Sequence, residues 1–224
     1  MRKLKLNTYD ISEERINVVS HAIGLLLSIV ALILLVVKTV RYGEIIHIIS
    51  AMIYGVSLIL LYTASTLYHQ STKERLRKRL NVFDHASIFV LIAGSYTPFL
   101  LIALNGTLGF RFFAFIWIAA IIGVILKLFF FGKYEILSTI MYVIMGWVIV
   151  FVMKSLMSNV PEAGIYWLWI GGVLYTLGAI IYSIKKVKMN HAIFHIFVLL
   201  GSISHFISIY FYVLTNKKLI TILN

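Results

Sequence analysis

The sequence predicts an all-α integral membrane protein, a seven-transmembrane helix bundle forming a single domain. Two observations carry this. Of the 224 residues, 61% are hydrophobic and 12% charged, whereas a soluble domain is about a quarter charged. A water-soluble globule is thereby excluded, and so is a disordered chain. The apolar residues also gather into seven runs, near 17–37, 46–68, 82–104, 110–131, 136–157, 164–184 and 191–214. Each is close to the ~20 residues that cross a bilayer as a helix. Residues 1–16 are expected to form a short cytoplasmic tail, 17–214 the membrane domain, and 215–224 an extracytoplasmic tail.

The first run follows Arg2, Lys3 and Lys5, but it is too long for a signal peptide and lacks a small-residue cleavage site before Lys38. It is expected to stay as the first span. The second ends at His69 and the third opens at Asp84. Pro98 lies inside the third, where a local kink packed against neighbours can accommodate its missing N–H. In the fourth, Lys127 precedes the aromatic run Phe129 to Phe131, and is expected to snorkel to the headgroups. The fifth is apolar up to Lys154 near its end. Tyr166, Trp167 and Trp169 open the sixth, as suits a membrane interface. The seventh begins at His191.

Orientation follows from the Lys and Arg count. Seven spans put Arg2, Lys3, Lys5, Arg15, Lys73, Arg75, Arg77, Lys78, Arg79, Lys127, Lys133, Lys185, Lys186 and Lys188 on one side, 14 in all. Lys38, Arg41, Arg111, Lys154, Lys217 and Lys218 make 6 on the other. The positive-inside rule then predicts a cytoplasmic N-terminus and an extracytoplasmic C-terminus. This placement also explains the net charge of +12 without a nucleic-acid partner. With no cysteine, disulfides, thiolate metal sites and cysteine nucleophiles are excluded. Any metal must be held by His, Asp or Glu.

Ionisable groups within spans are costly and point to function. Here they are His21, His47, His69, Asp84, His85, His191, His195 and His205. A single histidine in a membrane helix is ordinarily a hydrogen-bonded packing residue, and His47 is read so. The topology, however, brings His69, Asp84, His191 and His195 to one depth near the cytoplasmic face, and it was derived without any histidine. In HAIFH, His191 and His195 are one helical turn apart on one face, a spacing that suits a shared metal ion. Ser65 and His69 in STLYH have the same spacing. Three imidazoles with one open position are a common catalytic zinc arrangement. The expected metal ligands are therefore His69, His191 and His195. Asp84 is the candidate general base, and Ser65 a hydrogen-bond donor to water or a developing oxyanion. His205 lies roughly 15 Å along the helix from His195, too far to join them.

In order along the chain, HAIGLLLS, STLYH, FDHASIFVLIAGSYTPF and HAIFH resemble the progestin and adiponectin receptor family. Within it they are most similar to the bacterial hemolysin III branch, from about Asn17 to about His205. The resemblance implies seven helices, a cytoplasmic N-terminus and a zinc ion held by His69, His191 and His195, with Ser65 and Asp84 beside it. Asn17 and His21 in NVVSH also match a family pattern and are read as supporting or packing residues. The human members resemble slow lipid amidases behind a larger soluble N-terminal region. With ~16 residues ahead of the first span here, a hormone-receptor role is not expected.

The leading expectation is a zinc-dependent hydrolase of a membrane lipid amide or ester. The alternative is a non-catalytic sensor or lytic effector with structural zinc. A transporter would place charges near the midplane, often with repeats, and none is visible. A retinal protein needs a lysine within 191–214, which is lacking. An aspartyl intramembrane protease needs two membrane carboxylates, and only Asp84 opens a span.

Overall fold

Asp10 starts the first helix, its carboxylate accepting from the Ile11 N–H at 2.8 Å, with Glu13 and Glu14 in the first turn. Acidic groups there complement the helix dipole. Helix α1, Ile11–Tyr42, therefore begins six residues before the apolar run at 17, and part of the expected N-terminal tail is helical. The computed structural model describes residues 10–130, 135–184 and 186–214. The basic residues Arg2, Lys3, Lys5, Lys133, Lys185, Lys217 and Lys218, together with Phe131, residues 1–9 and the tail 215–224, lie outside the described residues.

Gly43 ends α1, its N–H returning to Thr39 O at 2.8 Å. Helix α2, Ile45–Gln70, starts with a capping box in which the Glu44 N–H donates to His47 Nδ1 at 3.2 Å. His47 is thus a helix cap. Helix α3, Glu74–Pro98, runs on through π-helical turns over Phe99–Leu104. The wider turns follow Pro98 directly, where the backbone lacks a donor. Asn105 and Gly106 then turn the chain at φ 51° and 61°, a conformation that suits Asn and Gly. Helix α4 spans Gly106–Phe130.

The fifth crossing is broken: α5, Glu135–Trp147, passes through 3₁₀ turns at Val148–Val152 into α6, Met153–Met157. Tyr96 holds the break, donating to the carbonyls of Met145 and Gly146 and accepting from the Ile149 N–H at 2.9 Å. Helices α7, Glu162–Ser183, and α8, Asn190–Ser208, complete the bundle, α8 ending in π turns at Ile209–Val213.

Seven crossings are long and apolar enough to span a membrane, as the sequence predicts, and no strand occurs among the described residues. Leu26, Val30, Ile33, Ile118 and Ile121 point outward and exposed, the inverse of a soluble protein's surface. Helix α1 packs on α2 and α8, α2 on α3, α3 on α4 and α5, α5 on α7, and α7 on α8. Apart from α4, which covers α3 from outside, the helices close a ring. The α1, α3, α5 and α8 N-termini and the α2, α4 and α7 C-termini meet at one end of it, and the histidines sit there.

Candidate metal centre

Two helices supply the three imidazoles. His69 comes from the last turn of α2, and His191 and His195 from the first two turns of α8. The α8 start has no cap of its own, since Met189 sits at φ 56° without a side-chain bond. Instead Glu13 of α1 reaches over, its Oε1 accepting from the His191 N–H at 3.2 Å and lying 3.5 Å from the Ala192 N–H. Asn190 donates to Tyr182 O at 2.9 Å and fastens the turn from α7. The HAIFH segment is thereby fixed against α1.

His69, His191 and His195 are all buried, and one nitrogen of each lies within 4.8 Å of the others. His69 Nε2 is 3.1 Å from His191 Nε2. Two nitrogens at ~2.05 Å from a tetrahedral zinc ion stand ~3.3 Å apart, so this pair has the separation a shared ion requires. The other nitrogen of His69 is occupied: its Nδ1 is 2.6 Å from Glu14 Oε2. An ionised carboxylate only accepts, so Nδ1 carries the proton and Nε2 is left with its lone pair. A carboxylate behind a ligating histidine in this way fixes its tautomer and raises its basicity.

Arg77 locks Glu14 in turn. Its guanidinium pairs with Glu14 Oε1, donates to Ser71 O at 3.2 Å and lies over the Tyr68 ring at 4.8 Å. The α2 C-terminus, the carboxylate and the His69 ring are thus one assembly. His21 stacks on His195 with centroids 3.5 Å apart and 12° between planes, and Asn17 Nδ2 approaches His69 Nδ1 at 3.4 Å. Both lie against the triad from α1.

Asp84 and Ser65 are buried at the same end. Asp84 lies beside both His69 and Ser65, with the Ser65 hydroxyl within reach of its carboxylate. A hydroxyl so placed can donate to the carboxylate, to a water or to a ligand. His85 turns to Asn81 O at 2.9 Å, with its Nδ1 3.8 Å from Asp84 Oδ2. The three imidazole donors and the backed His69 fit a zinc ion.

His21, Asp84, His191 and His195 form the polar end of an internal cavity of about 580 Å³. Its walls continue with Ile88, Leu91, Ile92, Val143 and Val198. Lys127 corrects an expectation. It is 3% exposed and lines this cavity instead of snorkelling outward, because the last turn of α4 presents it to the interior beside α3. His205, as expected, stands apart from the triad.

Glu13 and Glu14 escape a reading of the sequence, because two acids near a basic start look like tail. A signal is nonetheless there: Glu14, Asn17 and His21 are spaced three and seven apart, which places them on one helical face.

The sequence profile of the family described as Haemolysin-III related matches residues 9–206. The chain belongs to that family. Similar relatives include the Hemolysin-3 homolog of Bacillus subtilis, 44% identical over 91% of this chain and 96% of that protein. Hemolysin-3 of Bacillus cereus is 43% identical over 96% and 99%. The human Monocyte to macrophage differentiation factor is 33% identical over 73% of this chain and 70% of its own. With seven membrane crossings, this haemolysin-III-related chain is a multi-pass cell membrane protein, and its histidine triad could bind a metal ion.

Proposed function

We propose that this protein is a zinc-dependent hydrolase of a lipid amide or ester, with His69, His191 and His195 holding the ion. The observation that carries the reading is that His191, His195 and Asp84, with His69 grouped beside the two histidines, line an apolar-walled cavity of about 580 Å³, within the range of small-molecule sites. A purely structural ion would need no such chamber beside it. When bound, zinc supplies a Lewis acid and brings the pKa of water down to ~7. Asp84 takes the proton of the attacking water and returns it to the leaving amine or alcohol. Ser65 Oγ, beside Asp84, donates to the carbonyl oxygen as negative charge builds there. The apolar walls hold the acyl chain and keep bulk water from it.

The site is read as lying near the cytoplasmic face. Among the described residues, Arg15, Lys73, Arg75, Arg77, Lys78, Arg79, Lys127, Lys186 and Lys188 gather at its end of the bundle, against Lys38, Arg41, Arg111 and Lys154 at the other. That asymmetry supports a cytoplasmic N-terminus and an extracytoplasmic C-terminus, and reporter fusions after Asn224 test it.

The test of function is turnover of labelled lipid amides and esters by the purified protein in nanodiscs, with zinc content measured alongside. Wild type turning over a substrate that Asp84→Asn leaves intact, at equal zinc, supports the reading. Full turnover by Asp84→Asn overturns it. The name of the Bacillus cereus relative, Hemolysin-3, favours a second reading, a lytic effector with structural zinc. It expects red-cell lysis unchanged by Asp84→Asn and no substrate accumulating when His69 is lost.

A further inference from the structure

A second space of about 30 Å³ shares Ser95, Gly146, Trp147 and Gly172 with the large cavity, and His205 stands in its wall. Ten residues separate His205 from His195, ~15 Å along α8. The ring has a built seat. At Gly171 a Cβ would meet His205 Cδ2 at 2.1 Å and Nε2 at 2.5 Å, so only glycine leaves it room, and Tyr175 packs edge-on with centroids 5.2 Å apart.

His205 is 8% exposed. Its Nε2 faces Leu168 O at 3.3 Å. A carbonyl oxygen only accepts, so Nε2 carries the proton of the neutral ring and Nδ1 presents a lone pair. That Nδ1 has no hydrogen-bond partner among the described residues. The polar groups around it are engaged elsewhere. Tyr62 donates to Ser202 Oγ at 2.8 Å, Tyr175 Oη is 2.9 Å from the same oxygen, and Tyr96 is committed to the break in the fifth crossing. An acceptor is thus left unmet at membrane depth, where an unsatisfied polar group is costly.

We propose that His205 Nδ1 is a second recognition point in the cavity, accepting a hydrogen bond from a hydroxyl carried on the ligand's acyl chain. This rests on the lipid-hydrolase reading and narrows its substrate class to hydroxylated acyl lipids. Carbon–carbon bonds of about 1.5 Å advance an extended chain a little over 1 Å each, so ~15 Å places the hydroxyl about a dozen carbons from the scissile carbonyl. The smaller space is large enough for a water, which the hydroxyl displaces while keeping its hydrogen bond.

The test is displacement of radiolabelled stearamide from the purified full chain in nanodiscs by unlabelled stearamide, 12-hydroxystearamide and 2-hydroxystearamide. For wild type, 12-hydroxystearamide is expected to compete at about five- to tenfold lower concentration than stearamide, the worth of one net hydrogen bond. His205→Phe brings the two within twofold, whereas His205→Gln, which keeps an acceptor, retains part of the preference. The 2-hydroxy probe, with its hydroxyl near the triad, gains nothing that depends on His205. Equal competition by stearamide and 12-hydroxystearamide, or a preference that survives His205→Phe, overturns the hydroxyl subsite alone. Failure of stearamide itself to bind removes the acyl cavity, and the parent reading with it.

Discussion

Glu14→Gln isolates the contribution of one carboxylate to the metal centre. Glutamine keeps an oxygen able to accept from His69 Nδ1, where Glu14 Oε2 now stands 2.6 Å away, but it removes the charge. A hydrogen bond to a charged group contributes ~1.5–3 kcal/mol and a neutral one ~0.5–1.5. The difference, ~1 kcal/mol or slightly more, makes zinc binding about five- to fifteenfold weaker at ~1.4 kcal/mol per decade. The Glu14 side chain is only 19% exposed, so water does not simply replace it. Glu14→Ala also frees the ring to rotate, and the loss rises to ~10–100-fold, as is usual for residues that orient a metal ligand. Because Arg77 pairs with the same carboxylate, Glu14→Gln combined with Arg77→Met should show less than the sum of the single losses. The assay is competition for zinc with a chromophoric chelator at neutral pH, with circular dichroism to show that the helices are intact. If both Glu14 variants bind zinc as wild type does while His191→Ala does not, the carboxylate does not act through His69.

Zinc retention is expected to fall as pH drops through the imidazole range near ~6.5. Only neutral histidine ligates, so the loaded state binds fewer protons and is favoured above that range and lost below it. Mass spectrometry of protein dialysed at stepped pH checks this. Removing a ligand by His69→Ala or His191→Ala should abolish stoichiometric zinc, and zinc retained by either variant would exclude the triad. Asp84→Asn should keep zinc yet lower turnover by ~10²–10⁴-fold, the range of a general acid–base group, measured on whichever lipid wild type cleaves. Gly172 lines both cavities, and a Cβ there would meet nothing within 4 Å. Gly172→Leu should therefore leave the melting temperature unlowered while excluding long acyl chains in favour of short ones. Equal chain-length profiles for variant and wild type would count against the acyl route.

The membrane class, the number of crossings and the identity of the triad were all legible in the chain. Each rests on a local rule. A run of ~20 apolar residues has nowhere to go in water, and a polar residue inside such a run stands out because it is costly. The HAIFH spacing needs only helix geometry to put two rings on one face, and topology then carries His69 to their level. Helix ends were less legible. The N-terminal turn of α1 and the residues Glu74 to Asn81 of α3 are polar, and they are helical because caps, ion pairs and packing hold them, none of which appears in hydropathy. Glu14 was hidden for that reason.

Lys127 shows the converse. Its sequence neighbourhood reads as a membrane rim, but the direction a side chain takes at a helix end depends on which helix lies beside it. The partnership of Glu14 with His69 and Arg77, the Glu13 cap on α8, and the seat that Gly171 makes for His205 are likewise contacts between distant segments. So the sequence by itself determined that this chain crosses the membrane seven times and carries three histidines able to share an ion, because both follow from repeat spacing and solvent preference along one helix at a time. Only the tertiary structure decided that His191 and His195 line a chamber, what backs the His69 ring, and where His205 stands beyond them, because a cavity is a property of the gaps between helices and no single helix encodes it.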